Sequence, residues 1–184
     1  MHSMLRSIEA CHRSGFAHLD VKLENFVFHP MQVAEGEEEK EKIVLIDFGS
    51  AEPFVRASYA ERSYAYKLGK DDEVTLDRIT GTSCYISPEV WQGRFSSRSD
   101  VWSAGVMFYT MIAGDRPYGH GQNSSLLESE SAQFQQPEWE AVSSRTQELV
   151  RSMMLDDSKA RLSATEALEE IERIFEERPE LAVF

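Results

Sequence analysis

The sequence predicts a mainly α-helical fold with one small β-hairpin, and three observations carry that reading. Apolar residues recur at helical intervals near both ends of the chain. A continuous apolar stretch runs from Val101 to Ala113. Two short β-branched or aromatic runs, Phe26-Val27-Phe28 and Ile43-Val44-Leu45-Ile46, lie close together in sequence. A length of 184 residues predicts one domain, large enough to bury a core.

Taken in order, Met1, Met4, Leu5, Ile8 and Cys11 share one face of a first helix. Gly15 is placed to end it, because glycine accepts the left-handed conformation that closes many helices. The two β-type runs then pair as the hairpin. Between them lies Glu35-Gly36-Glu37-Glu38-Glu39-Lys40-Glu41-Lys42, so residues 31–42 are expected to form an acidic, solvated insertion loop. Ordinary hairpin loops hold only ~2–5 residues. From Ala51 to Thr80 no period is readable. The Val101–Ala113 stretch reads as a helix buried all round, too short to span a bilayer, which needs ~20 residues. Ser144-Arg145-Thr146-Gln147 and Ser163-Ala164-Thr165-Glu166 both have capping-box spacing. The stripes that follow, Leu149, Val150, Met153 and Met154, then Ala167, Leu168, Ile171 and Phe175, are read as core.

Charge and cysteine content narrow the setting. A net charge of −13 argues against binding nucleic acid or an anionic membrane through a basic face. Cys11 and Cys84 have no spacing that suggests a zinc site or a disulfide framework, and the N-terminus has no apolar signal region. The expectation is a soluble cytoplasmic protein with no membrane partner. No internal repeat and no EF-hand loop is visible.

Four groups of chemically distinctive residues stand in one order. They are His18-Leu19-Asp20-Val21-Lys22-Leu23-Glu24-Asn25, Asp47-Phe48-Gly49, Gly81-Thr82-Ser83-Cys84-Tyr85-Ile86-Ser87-Pro88-Glu89, and Asp100-Val101-Trp102-Ser103-Ala104-Gly105. Arg161 follows in Asp157-Ser158-Lys159-Ala160-Arg161-Leu162. Singly, Asp20 reads as a turn residue, Asn25 as a breaker and Asp47 as a strand-end cap. Jointly, their order and the apolar strands between them favour a functional reading over these single ones.

This ordered set resembles the catalytic half of protein kinases, whose catalytic loop is written H-R-D-L-x-x-x-N and whose metal-binding turn is D-F-G. The resemblance implies a protein kinase-like C-terminal lobe over residues 1–184, a partial kinase domain with the N-terminal ATP lobe absent and an activation segment at 47–89. It implies ATP and Mg2+ as cofactors, and transfer of the ATP γ-phosphoryl to Ser or Thr hydroxyls of protein substrates. On the same resemblance Asp20 orients the substrate hydroxyl and accepts its proton, Lys22 faces the γ-phosphate, and Asn25 and Asp47 ligate magnesium. Thr82 contacts Asp20 and Lys22 from the substrate-side loop, favouring Ser/Thr over Tyr. Four residues are implied to be structural. His18 packs under Asp-Phe-Gly, Asp100 holds the catalytic-loop backbone, and Glu89 pairs with Arg161.

Pro137-Glu138-Trp139-Glu140-Ala141-Val142-Ser143, Leu149-Val150-Arg151 and Arg161 to Leu168 are similar to the calcium/calmodulin-dependent group. Dependence on calmodulin or another regulatory partner is left open. Two departures stand out. Leu19 occupies the place of the arginine that pairs with an activation-loop phosphate in most members, and the family's Gly-rich loop and Val-Ala-Ile-Lys strand are not among these residues. The alternative reading is therefore a non-catalytic, kinase-derived interaction module.

Overall fold

The computed structural model describes residues 1–31, 40–54, 73–117, 134 and 137–177. The acidic Glu35–Glu39 run and the middle of the expected activation segment, with Ser58 and Ser63, lie outside the described residues.

Helix α1 (His2–Arg13) buries Met4, Leu5, Ile8, Cys11 and His12. It closes as its sequence predicts: Gly15 takes φ 93° and donates its N–H to the carbonyl of His12 at 3.1 Å. Strand β1 (Phe16–Ala17) pairs antiparallel with β4 (Glu52–Pro53). The hairpin is β2 (Phe26–Met31) against β3 (Lys40–Leu45), with Phe26 opposite Leu45 and Met31 opposite Lys40. The strands are thus longer than the apolar runs, and this corrects the boundary of the insertion: Met31, Lys40, Glu41 and Lys42 belong to strands. A ladder bonds backbone to backbone, so it runs on past the apolar residues. Pro30 is tolerated there because the ribbon has only two strands, both edges.

Strand β5 (Val74–Thr75) pairs with β6 (Arg94–Phe95), enclosing the short helix α2 (Pro88–Trp91). Helix α3 (Ser97–Ala113) follows at once, capped by Ser96, whose Oγ accepts the N–H of Arg98 at 3.2 Å. Every residue from Arg98 to Tyr109 is buried. The cause is its position: α1, α4 (Pro137–Glu140), α5 (Ser144–Met153) and α6 (Ala164–Glu177) all pack on it. At Gly105 an added Cβ would stand 2.6 Å from the Met154 side chain and 3.0 Å from the Met153 Cβ, so glycine is what lets the middle of this helix approach the end of α5.

The cap of α5 is Ser143, one residue before the Ser144 that the spacing suggests, and its Oγ accepts the N–H of Thr146 at 3.1 Å. With two serines in succession, spacing alone does not separate them. Gln147 instead donates its side-chain amide to the carbonyls of Trp139 and Val142, at 2.8 and 3.1 Å, fixing α4 to α5. The α6 capping box forms as read: Ser163 N–H donates to Glu166 Oε2 (2.8 Å) and Glu166 N–H to Ser163 Oγ (3.2 Å). Ile174 joins the buried face of α6, while Phe175 lies half-buried, edge-on to His2.

One large apolar core fills the space between the helices, and a smaller one of Ala17, Leu19, Leu76, Ile86, Val90 and Phe95 joins β1 and the loop after it to the 74–95 stretch. Among the described residues no helix is long and apolar enough to cross a membrane.

Candidate active site

The site begins at Asp100, which α3 holds fully buried. A buried carboxylate must be hydrogen-bonded. Its Oδ2 accepts the N–H of His18 at 2.8 Å and lies 2.8 Å from His12 Nε2; its Oδ1 accepts the N–H of Leu19 at 2.7 Å. The fixed backbone turns sharply, with Leu19 at φ 60°. Non-glycine residues seldom adopt that conformation.

Beyond the turn, Asp20 is the centre of a compact cluster. Thr82 Oγ1 donates to its Oδ1 at 2.6 Å, Lys22 Nζ lies 3.0 Å from its Oδ2, and Asn25 Nδ2 donates to both Oδ2 (3.2 Å) and the Asp20 carbonyl (2.8 Å). Lys22 Nζ also donates to Thr82 Oγ1 at 2.8 Å, closing a triangle. Burial acts to raise the Asp20 carboxyl, but the hydrogen bonds from Thr82 and Lys22 and the Lys22 charge outweigh it and hold the group below its usual range. The same bond to Asp20 raises Lys22. Asp20 is therefore a carboxylate and Lys22 an ammonium at neutral pH.

Thr82 reaches this cluster because Gly81 comes first. At φ 97°, Gly81 passes so close to the His18–Asn25 loop that an added Cβ would lie 2.3 Å from the Leu19 carbonyl oxygen.

The hairpin supplies the other wall. Ile46 donates its N–H to the Asn25 carbonyl at 2.8 Å, tying the end of the second strand to the end of the His18–Asn25 loop. His18 Nε2 donates to the Ile46 carbonyl at 3.0 Å, and its ring packs edge-on against Phe48 with centroids 5.0 Å apart. Asp47 takes φ 64°, accepts the N–H of Gly49 on Oδ1 at 3.2 Å, and is exposed. Asn25 is buried. Its side-chain hydrogen bonds among the described residues both use Nδ2, which leaves the amide oxygen for another partner. Among the described residues no group of three or more His, Cys, Asp or Glu could hold a metal. The oxygen donors here are one amide and one carboxylate.

Behind the site, Arg161 and Glu89 form a buried pair. Arg161 Nη1 and Nη2 donate to Glu89 Oε1 and Oε2 at 2.8 and 3.0 Å, Nη1 also to the Arg98 carbonyl (2.8 Å), and Nε to the Leu155 carbonyl (2.9 Å). Ser99 Oγ adds a donor to Glu89 at 2.8 Å. Burial alone raises Glu89, yet the Arg161 fork outweighs it and holds the carboxyl below the ordinary glutamate range.

The structure thus gathers Asp20, Lys22, Asn25 and Thr82 directly, brings Asp47 alongside through Ile46, and sets His18, Asp100, Glu89 and Arg161 in the supporting layer. Sequence reasoning missed His12 and Ser99. His12 sits beside the apolar stripe of α1 with nothing in its neighbours to announce a carboxylate from α3. Ser99 had a usable signal, since Ser96 and Ser99 stand three apart at the start of α3.

A family model described as the protein kinase domain matches residues 1–171. Among curated proteins the chain is similar to a CDPK-related protein kinase of Daucus carota, at 30% identity over 171 residues, covering 91% of this chain and 25% of that protein. It is similar to calcium-dependent protein kinase 2 of Arabidopsis thaliana, at 34% over 164 residues, 88% of this chain and 22% of that protein. Calcium-dependent protein kinase 11 of Oryza sativa subsp. japonica matches at 32% over 164 residues, 88% and 25%. The chain spans about a quarter of the length of these relatives. Catalytic-loop cluster, Asp-Phe-Gly turn and family match agree, and the chain belongs to the protein kinase family.

Proposed function

We propose that this chain is the catalytic-loop lobe of a serine/threonine protein kinase, and that it transfers the ATP γ-phosphoryl to protein hydroxyls when a nucleotide-covering lobe completes the site. The observation that carries the proposal is the closed triangle of Asp20, Lys22 and Thr82, at 2.6, 3.0 and 2.8 Å. Protein kinases work mainly by positioning and charge neutralisation. Each corner has a part in that. Asp20 is ionised and held low in pKa, which makes it a weak base but a firm acceptor. It orients the incoming hydroxyl first and takes the proton late, as the phosphoryl departs from its leaving oxygen. Lys22 places a positive charge where the transferred group gains negative charge. Thr82 fixes both and sets the edge on which a Ser or Thr hydroxyl rests.

The residues present fit magnesium carried by ATP. Mg2+ takes oxygen ligands, keeps several waters, and binds proteins through one or two groups plus substrate phosphates. Asp47, exposed, and Asn25, whose amide oxygen has no hydrogen bond among the described residues, are such groups. When bound, the metal supplies charge neutralisation of the phosphates. A non-catalytic interaction module would need none of Asp20, Lys22, Asn25, Asp47 and Thr82, and their joint presence, with Lys22, Asn25 and Thr82 each in contact with Asp20, favours the enzyme.

The test joins the chain to the nucleotide lobe of a calcium-dependent kinase relative and offers labelled ATP, Mg2+ and mixed Ser, Thr and Tyr peptides. Transfer to Ser or Thr by the joined protein, with only background from the chain alone, is expected. No transfer from a joined protein that demonstrably binds Mg–ATP, or robust transfer by the chain alone, would overturn the proposal.

A further inference from the structure

Leu19 lies at a junction that the catalytic reading does not use. Its N–H is held by Asp100, its carbonyl oxygen is the surface over which Gly81 passes, and its side chain is only 6% exposed, within the cluster of Ala17, Leu76, Ile86, Val90 and Phe95. Four of those five partners come from one stretch, residues 76–95, and they bracket Thr82 in sequence. Leu76 closes the stretch on itself by donating its N–H to the Gly93 carbonyl at 2.8 Å. A leucine at φ 60° persists only where its surroundings over-determine it. Here the surroundings are apolar, while the next residue in one chain segment is Asp20 and the residue after Gly81 in the other is Thr82.

We propose that Leu19 is a positioning residue: by packing its side chain against Leu76, Ile86, Val90 and Phe95 it seats the 73–95 segment on the catalytic loop and so sets Thr82 against Asp20. No charged group at position 19 takes part. The residues of this small cluster then loosen locally when it is weakened, and Thr82 with them, while Tyr85 of the same segment stays with the large core around α3, to which it belongs and from which Ser103 Oγ donates to its carbonyl. This inference rests on packing and goes beyond the proposed phosphoryl transfer; it is tested without catalysis.

The experiment is amide hydrogen exchange on the full chain, for the parent and for Leu19→Ala, Leu19→Met and Leu76→Ala, each first shown to be folded by circular dichroism. The reporters are the Leu76 amide, bonded to Gly93, and the Tyr85 amide, bonded to the Thr82 carbonyl at 2.9 Å. Leu19→Ala should speed exchange at both by tenfold or more, leave α3 and α5 amides within twofold, and be largely reversed by Leu19→Met, which refills the cluster. Leu76→Ala should reproduce the local loss from the opposite side, and it decides the matter if Leu19→Ala does not fold. Unchanged exchange at the two reporters, an equal rise in α3 and α5, or failure of Leu19→Met to restore protection would each overturn the proposal.

Discussion

Arg161→Ala should be the most damaging single change behind the site. The guanidinium is fully buried and donates to both oxygens of Glu89 and to the carbonyls of Arg98 and Leu155. Removing it strands Glu89, 3% exposed, with Ser99 as its remaining side-chain donor among the described residues, and takes a donor from the carbonyls of Arg98, Leu155 and Asp156. Breaking one side of a buried pair costs ~3–5 kcal/mol, a large share of the ~5–15 kcal/mol that holds a domain. For a domain of this size that is a fall in Tm of roughly 6–20 °C. Urea titration at pH 7 measures it. The pair also has a pH signature. Because Glu89 is held below its ordinary value of 4.5, its contribution is complete above that value and is lost as pH falls through the lower folded value. In Arg161→Ala that acid-side loss should vanish, since burial then raises Glu89 instead. A double change to Glu89→Leu with Arg161→Met, which removes both charges, should cost less than Arg161→Ala alone. A loss under about 1 kcal/mol in Arg161→Ala would refute the reasoning, since an exposed pair is worth no more than that.

Three further outcomes follow from single positions. Ser87 Oγ is buried without a hydrogen-bond partner among the described residues, so Ser87→Ala should raise stability by about 1 kcal/mol, seen as a Tm gain of ~2–4 °C; a fall would show a hidden partner. Gly81→Ala should destabilise by more than about 1 kcal/mol in urea titration, because φ 97° disfavours a side chain and the new Cβ meets the Leu19 carbonyl; a neutral result would contradict the close approach. With Leu19 unable to bind a phosphate, alanine at Ser58, Ser63, Thr75 or Thr80, singly, should leave kcat/KM of the joined kinase within tenfold. A hundredfold loss at one of them, restored by Glu, would reveal a phosphate switch; it equals about 2.7 kcal/mol of transition-state stabilisation.

Much of the site was legible because its residues are fixed in order along the chain. The Asp20–Asn25 loop, Asp47 and Thr82 carry their chemistry in local spacing, and the hairpin between them is announced by β-branched residues. The capping boxes and the uniformly apolar α3 were legible for the same reason, being local. What was not legible depends on long-range packing. His12 meets Asp100 across 88 residues of sequence, and no periodicity in α1 distinguishes it from a solvated histidine. The extension of the hairpin to Met31 and Lys40 rests on backbone bonding that acidic side chains neither require nor forbid. Leu19 was legible as a missing arginine, but its burial against Leu76 and Phe95 was not, since those partners belong to a stretch without a readable period.

On the proposed function, Asp20 and Asp47 do different work in one phosphoryl-transfer site. The measurement is single-turnover transfer by the joined kinase, with Mg–ATP affinity determined in parallel, for Asp20→Asn and Asp47→Asn. Asp20→Asn should lower the transfer step ~10²–10⁴-fold with nucleotide affinity nearly unchanged, because the group acts on the hydroxyl. Asp47→Asn should weaken Mg–ATP binding as well. Transfer that survives Asp20→Asn, or equal and mild effects of both changes, would contradict the claim.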